Sequence, residues 1–349
     1  MASLQRFFND FLSNIRLEYQ SAEYKAVKEK DESISPKIKK ALENEGYKII
    51  TPVRLGSLAV GTAIKPLSGD YDLDKGFILE RDSTDDDNPL KPKLIIEVVL
   101  KNHGFTNQKI KMPCVTADYA SINMHIDYTV FRNNSWVDYH QLAVGKKHSK
   151  DPKWDDNDPI GLIDWINSDK DHQSFWSTLD EDEVKQYKRL VRYLKRWRDV
   201  KFCEADAEKV FSIALTVMAK ECFKPSISDE GDVNDLKALT DTIEKMLSNG
   251  YFTPSGEEKY KIQVDLPVIP NRDIYDQKGS SIGTTFKARL ETMRDKLIEA
   301  AETENLEKQT KILNKLFGDD FPVHSETKAS NESLYKHLEP AFVQDHGGA

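Results

Sequence analysis

Cysteine is scarce in this chain, with three in 349 residues. Cys114, Cys203 and Cys222 stand too far apart for a disulfide scaffold or a zinc site. Long apolar runs are missing too. No stretch approaches the ~20 residues that cross a bilayer, and the N-terminus lacks a secretory-signal pattern. These absences predict a cytoplasmic protein with no membrane partner. Positive charge is in deficit: 50 Lys and Arg against 59 Asp and Glu give a net charge of −9. That balance argues against a general duplex-binding surface, which needs a basic field, so no obligatory nucleic-acid partner is expected. No internal repeat is visible. The length suffices for a substantial core and suggests one two-lobed unit or two domains.

The informative stretch is LGSLAVGTAIKPLSGDYDLDKGFIL, residues 55–79, followed by MHIDYTVF at 124–131. In an extended strand alternate side chains share a face, so Asp72 and Asp74 project together while Leu73 turns to the core. The second run alternates as well, with Met124, Ile126, Tyr128 and Val130 on one face and His125, Asp127 and Thr129 on the other. Pairing the two strands would gather three carboxylates, which repel one another unless cations neutralise them. Mg²⁺ suits such hard oxygen ligands, with Mn²⁺ also acceptable, and two ions roughly 3.5 to 4 Å apart support in-line displacement at phosphorus. Asp72, Asp74 and Asp127 are therefore both the metal ligands and the catalytic set. Gly56 lets the backbone approach a phosphate, the Ser57 hydroxyl and amide can donate to it, and Gly61 and Thr62 would extend the cradle. Asp70 reads as part of a solvated turn. The acceptor hydroxyl can lose its proton to Asp127 or to a hydroxide, so no histidine base is required, and His125 is left a supporting role.

Several segments resemble the cGAS/DncV-like nucleotidyltransferases of bacterial anti-phage (CBASS) defence, most closely the bacterial 3′,3′-cyclic GMP-AMP synthase branch. These are GSLAVGT with GDYDLDKG, where Lys75 stands at a position commonly acidic, HIDYTVF at 125–131, DWINSDK at 164–170, LVRYLKRWRDVKF at 190–202 and FSIALTVMA at 211–219. The resemblance covers most of residues 50–220 and is thin beyond about residue 225. It implies an α+β fold in which a polymerase-beta-like nucleotidyltransferase core with a mixed sheet faces a helical lobe across the active-site cleft. It also implies a nucleotidyltransferase that condenses ATP, GTP or other ribonucleoside triphosphates into a cyclic di- or trinucleotide second messenger. Lys195 and Ser212 would bind the donor triphosphate. The alternative is a nucleotidyltransferase that modifies an RNA or protein acceptor. A further possibility, conjugation through Ala349 by a ubiquitin-like ligase system, fits the Gly347-Gly348-Ala349 end.

The expected organisation is a catalytic core with N-terminal helices over 1–160, a helical lobe over 161–325 and a flexible tail over 326–349. Leu4, Phe7, Phe8, Phe11, Leu12 and Ile15 recur at helical spacing. A second helix is expected from about Pro36 to Glu45, then strands from Lys48 and over 71–79, an acidic surface loop at 82–88, a helix over 94–100 and a strand over 109–116. Residues 146–159 read as the crossing between lobes. Helices follow at about 160–167, 180–200, 207–223, 232–249 and 283–316, with a Pro-interrupted excursion at 251–273 that could bring Asn271 and Asp273 toward a base, although ordinary turn residues are the preferred reading for both. In the basic helix most charges are expected to face water, with Lys188, Arg192 and Lys195 sharing one face. Trp197, Tyr193, Phe211 and Tyr275 could stack on bases, but core packing is the preferred reading for these aromatics and for Tyr128.

Overall fold

The computed structural model describes residues 4–17, 21–67, 71–80, 88–119, 123–133, 138–167, 181–228 and 230–325. The expected acidic loop, Asp70, residues 168–170 and the Gly-Gly-Ala end lie outside them, apart from Asn88.

Helices α1 (Leu4–Ile15) and α2 (Ala22–Asn44) precede strand β1 (Ile49–Arg54), the single turn α3 (Gly56–Ala59) and β2 (Tyr71–Leu79). Then come α4 (Leu90–Asn102), β3 (Lys109–Ile110), β4 (Cys114–Tyr119), β5 (Met124–Asn133), β6 (His140–Val144) and β7 (Lys153–Asn157). The helical half holds α5 (Pro159–Asn167), α6 (Glu181–Lys201), α7 (Glu204–Ala207), α8 (Ser212–Cys222) and α9 (Asp235–Ser248). It closes with the hairpin β8 (Phe252–Gly256) and β9 (Lys259–Ile262), then α10 (Gly279–Glu302) and α11 (Leu306–Phe317).

Strands β1 to β7 form one mixed sheet in the order β1-β2-β5-β4-β3, with β6 joining β5 to β7. Among the described residues only the β2–β5 pair of this sheet is parallel, and its register sets Asp74 directly opposite Asp127. Alternation then sorts the side chains. Leu73, Phe77, Ile126, Tyr128 and Val130 are buried in a core shared with Ile34, Ile38 and Leu42 of α2 and Ile96 and Leu100 of α4. The opposite face carries the acids, and further along the strands Ile78 and Phe131 pack there with Leu55, Leu142 and α5.

A second core fills the helical half around α6, where Tyr187, Leu190, Val191, Tyr193, Leu194 and Trp197 are all buried. The apolar face of α1 belongs to this core, although α1 precedes the sheet in sequence. Phe11 stacks on Tyr193 at 5.2 Å between ring centroids and Phe8 meets Phe321 at 5.3 Å. Each such ring contributes on the order of 1.5–3 kcal/mol when taken from water.

Several boundaries differ from the sequence reading. Helix α2 begins well before Pro36, which sits inside it, because the first turn is closed by Ser21, whose Oγ accepts from the Tyr24 N–H at 3.1 Å. The expected strand over 109–116 is two strands that pair antiparallel around a turn at 111–113. The expected crossing at 146–159 contains β7, which pairs with β6 through all five residues despite its charge. The helix expected over 283–316 is two helices, broken where Asn305 caps α11 by accepting from the Lys308 N–H at 2.9 Å. The one expected over 207–223 begins later, as α8 from Ser212, with α7 ending at Ala207.

Candidate active site

The acidic face of β2 and β5 opens into a cleft of about 470 Å³ between the sheet and the helical lobe. Asp72, Asp74, Gly56, Ser57, Lys195 and Ser212 all line it. Carboxylate oxygens of Asp72, Asp74 and Asp127 lie within 4.8 Å of one another. Asp127 is oriented from the neighbouring strand: Thr116, its cross-strand partner, donates from Oγ1 to Oδ1, and Lys111 Nζ stands 3.4 Å from Oδ2. His125 is paired in register with Asp118, and its Nδ1 is 3.6 Å from that carboxylate.

Asp72 and Asp74, partly removed from water and close to Asp127, resist ionisation. Burial pushes the Asp74 carboxyl up to about 7, with the charges of Asp72 and Asp127 adding to it. Asp72 is exposed on the cleft floor, yet it too is raised, first by partial loss of solvation and then by Asp127, against the opposing pull of Lys111 and His125. A divalent cation would remove that repulsion, and an all-oxygen carboxylate set fits Mg²⁺ or Mn²⁺.

Gly56 is required where it stands. Its φ is +63°, and a Cβ there would lie 1.9 Å from Asp74 Oδ2. The backbone therefore passes against the carboxylate, which brings the Ser57 turn to the acids.

The opposite wall comes from α6 and α8. Lys195 is 4% exposed, and its Nζ donates to the Thr62 carbonyl and hydroxyl, each at 3.1 Å. Burial holds it down to about 7, assisted by Arg198 and Arg192 and opposed by Asp199 and Asp74. Ser212 opens α8, and its Oγ accepts from Arg198 Nη1 at 2.7 Å. Arg198 is fixed further by the Val210 carbonyl at 3.1 Å and by Asp199. The apolar part of the wall is Leu162, Ile163, Ile166 and Ile213.

The basic helix corrects the expectation that most of its charges meet water. Arg192, Lys195 and Arg196 are buried because each finds a backbone carbonyl in the segment after α3. Arg192 donates to Gly61, Lys195 to Thr62, and Arg196 to Lys65 at 2.7 Å. A buried charge needs such partners, and these three bonds join the lobes. The expected shared face also divides, since Lys188 donates to Asn167 Oδ1 at 2.9 Å and lines another cavity with Arg192. Gly61 lines that other cavity too.

Asn271 and Asp273 do not line the cleft. Asn271 Nδ2 donates to the Leu266 carbonyl at 3.3 Å, and Asp273 Oδ1 accepts from the Val264 and Tyr275 amides at 3.1 and 3.0 Å, so both close their own turn. Trp197, Tyr193, Tyr275 and Tyr128 are buried core residues, and Phe211 packs on Tyr275. Sequence reasoning missed Thr116, Lys111 and Arg198 at the site. The first two could be found only from strand pairing, whereas Arg198 was within reach because it follows Lys195 by three residues on one helical face.

Residues 53–131 match the family model described as the nucleotidyltransferase domain of cyclic GMP-AMP synthase DncV-like proteins. A cyclic GMP-AMP synthase of Escherichia albertii is 25% identical over 178 residues, which is 50% of this chain and 38% of that protein. The match thus spans well under half of the relative. The fold is similar to the CD-NTase CdnG of Bradyrhizobium diazoefficiens in complex with GTP, with a TM-score of 0.66 and 16% identity over 91% of this chain and 96% of that one. It is also similar to the DncV cyclic AMP-GMP synthase of Vibrio cholerae in complex with the linear intermediate 5′ pppA(3′,5′)pG. There the TM-score is 0.59 and the identity 18%, over 79% of this chain and 70% of that one.

Proposed function

We propose, from the match of residues 53–131 to the DncV-like nucleotidyltransferase domain, that this chain is a cGAS/DncV-like nucleotidyltransferase and condenses ribonucleoside triphosphates into a cyclic di- or trinucleotide messenger for anti-phage signalling. The observation that carries this reading is the convergence of the Asp72, Asp74 and Asp127 carboxylates within 4.8 Å, with Asp72 and Asp74 on the cleft that Gly56, Ser57 and Lys195 also line. ATP and GTP are the favoured substrates, since the related structures hold GTP and a linear pppApG intermediate.

In each transfer a ribose hydroxyl oxygen attacks the α-phosphorus of a second nucleotide. The new P–O bond forms as the bond to the α,β-bridging oxygen breaks, and pyrophosphate leaves with that electron pair. Two divalent cations held by Asp72 and Asp74, with Asp127 completing one of them, would supply the Lewis-acid stabilisation of this displacement. Asp127, oriented by Thr116, takes the hydroxyl proton. Ser57 and its amide hold the terminal phosphates, and Lys195 gains a stronger partner than Thr62 when a triphosphate enters. Leu162, Ile163, Ile166 and Ile213 offer apolar surface to a base and exclude water from the reacting centre. A second transfer closes the ring of a dinucleotide, and a third that of a trinucleotide. Attachment of Ala349 to another molecule by a ubiquitin-type ligase is a separable part of this reading.

The test is incubation of the purified chain with all four triphosphates and Mg²⁺, phosphatase treatment and mass spectrometry. A phosphatase-resistant product with the mass of a cyclic di- or trinucleotide is expected, and its bases are read from that mass. Label transferred instead to added RNA or protein would establish acceptor modification in its place. Absence of every product from the folded, Mg²⁺-supplied protein would overturn both readings.

A further inference from the structure

Away from the nucleotide cleft, and sharing no lining residue with it, α6, α10 and α11 enclose a second cavity of about 230 Å³. Its floor is apolar, built from Trp197, Met293, Ile312 and Leu316. Four cations and one acid stand around it: Lys201, Arg289, Lys296 and Lys315, with Glu299 beside Lys296. In a chain whose acids outnumber its bases 59 to 50, four cations to one acid reverse the average balance.

The cations are poorly neutralised. Among the described residues only Lys296 forms an ion pair, with Glu299 one turn along its own helix. The Arg289 guanidinium lies over the Phe202 ring, 5.4 Å from its centroid, rather than on a carboxylate. Lys201 donates to the Lys315 carbonyl, and burial together with the charge of Arg289 holds its ammonium below the ordinary lysine range. Like charges held at the mouth of an apolar hollow repel one another, and an anion in that mouth turns the repulsion into attraction.

We propose that this cavity is a binding site for a small organic anion with a compact apolar body. The body seats on Trp197 and Met293, and its carboxylate, sulfonate or phosphate meets Arg289 and Lys315. The volume is below the ~300 Å³ at which pockets for drug-sized ligands begin, which limits the buried part to a small ring system or a short chain. Arg289 and Lys315 are exposed, so replacing them removes charge without opening the core. Ile312 is only half-buried, and enlarging it closes the cavity from its edge.

The experiment is fluorescence titration of the full chain with 8-anilinonaphthalene-1-sulfonate, an aromatic anion, and with N-phenyl-1-naphthylamine, its uncharged counterpart. One saturable site is expected for the anion, with affinity at least tenfold weaker in the Arg289→Ala/Lys315→Ala double variant and in Ile312→Trp. The uncharged probe is expected to bind at least tenfold more weakly than the anion. Should Ile312→Trp melt below the parent, the exposed double variant decides alone. Equal binding of the anion by parent and double variant, or equal binding of the two probes, would overturn the proposal. Neither readout depends on nucleotide synthesis, so its failure and that of the proposed reaction are distinguishable.

Discussion

The two faces of strand β2 handle charge in opposite ways. On the cleft face Asp72 and Asp74 stand beside Asp127, acid against acid, and the Asp74 carboxyl is driven to about 7. On the core face, one residue along, Lys75 Nζ donates to Asp31 Oδ2 of α2 at 2.8 Å, and the Ser35 hydroxyl donates to the other oxygen of that carboxylate. The side chains of Lys75 and Asp31 are 17% and 13% exposed, and they compensate each other. Compensated charge pins α2 to the sheet, whereas acids that Lys111 offsets only in part keep a repulsion that a proton or a cation relieves. Lys75, which departs from the acid common at its position in the resembled family, belongs to the compensated face and takes no part in the cleft.

The sharpest way to break this contrast is to neutralise one acid on the cleft face. Asp72→Asn or Asp74→Asn should lower the rate of nucleotide synthesis by roughly a thousandfold or more, since the metal and electrostatic terms supply most of the catalysis. Initial rates under saturating Mg²⁺ measure this, and retention of a tenth of parental activity would remove both residues from the catalytic set. A smaller loss, about a hundredfold, is expected for Gly56→Ala. There the side chain meets Asp74 Oδ2 and the φ of +63° costs roughly 1–2 kcal/mol. Activity and melting temperature measured together separate the displaced carboxylate from the strained backbone.

The mildest effect concerns pH. Asp74 ordinarily titrates at 3.8 and in the folded chain at about 7. Between about pH 4 and 7 the folded state therefore keeps a proton that the unfolded state has released, and the stability of the metal-free protein falls as pH rises through that window. Denaturant titrations across the window should show this slope, and saturating Mg²⁺ or Asp74→Asn should flatten it. Lys75→Met should lower stability by about 2 kcal/mol, because it strands Asp31, and leave the slope unchanged. An identical slope with and without Mg²⁺ would count against cation binding by these acids.

Much of the site was legible because strand alternation is a local rule. Asp72, Leu73 and Asp74, and likewise Ile126, Asp127 and Tyr128, take opposite faces from spacing alone. The glycines marked sharp backbone, and the apolar positions of α1 marked a packed face. What escaped was decided by partners distant in sequence. Arg196 looks like a solvated charge on a basic helix until the Lys65 carbonyl is beside it. The charged run at 153–157 looks like linker until β6 offers it hydrogen bonds. Pro36 looks like a helix start, but α2 accommodates it internally.

From the sequence by itself came the chemistry of this protein: which residues are hard oxygen ligands, which turn can approach a phosphate, and which faces are apolar. These follow from side-chain type and from periods of two and 3.6 residues, which need no knowledge of the rest of the chain. Only the tertiary structure decided that Asp127 lies beside Asp74, that Thr116 and Lys111 orient it, that α6 closes the cleft with buried cations, and that a cation-rimmed cavity stands apart from it. Each of those depends on strand order, register and helix packing, which arise when segments far apart in sequence bury surface together.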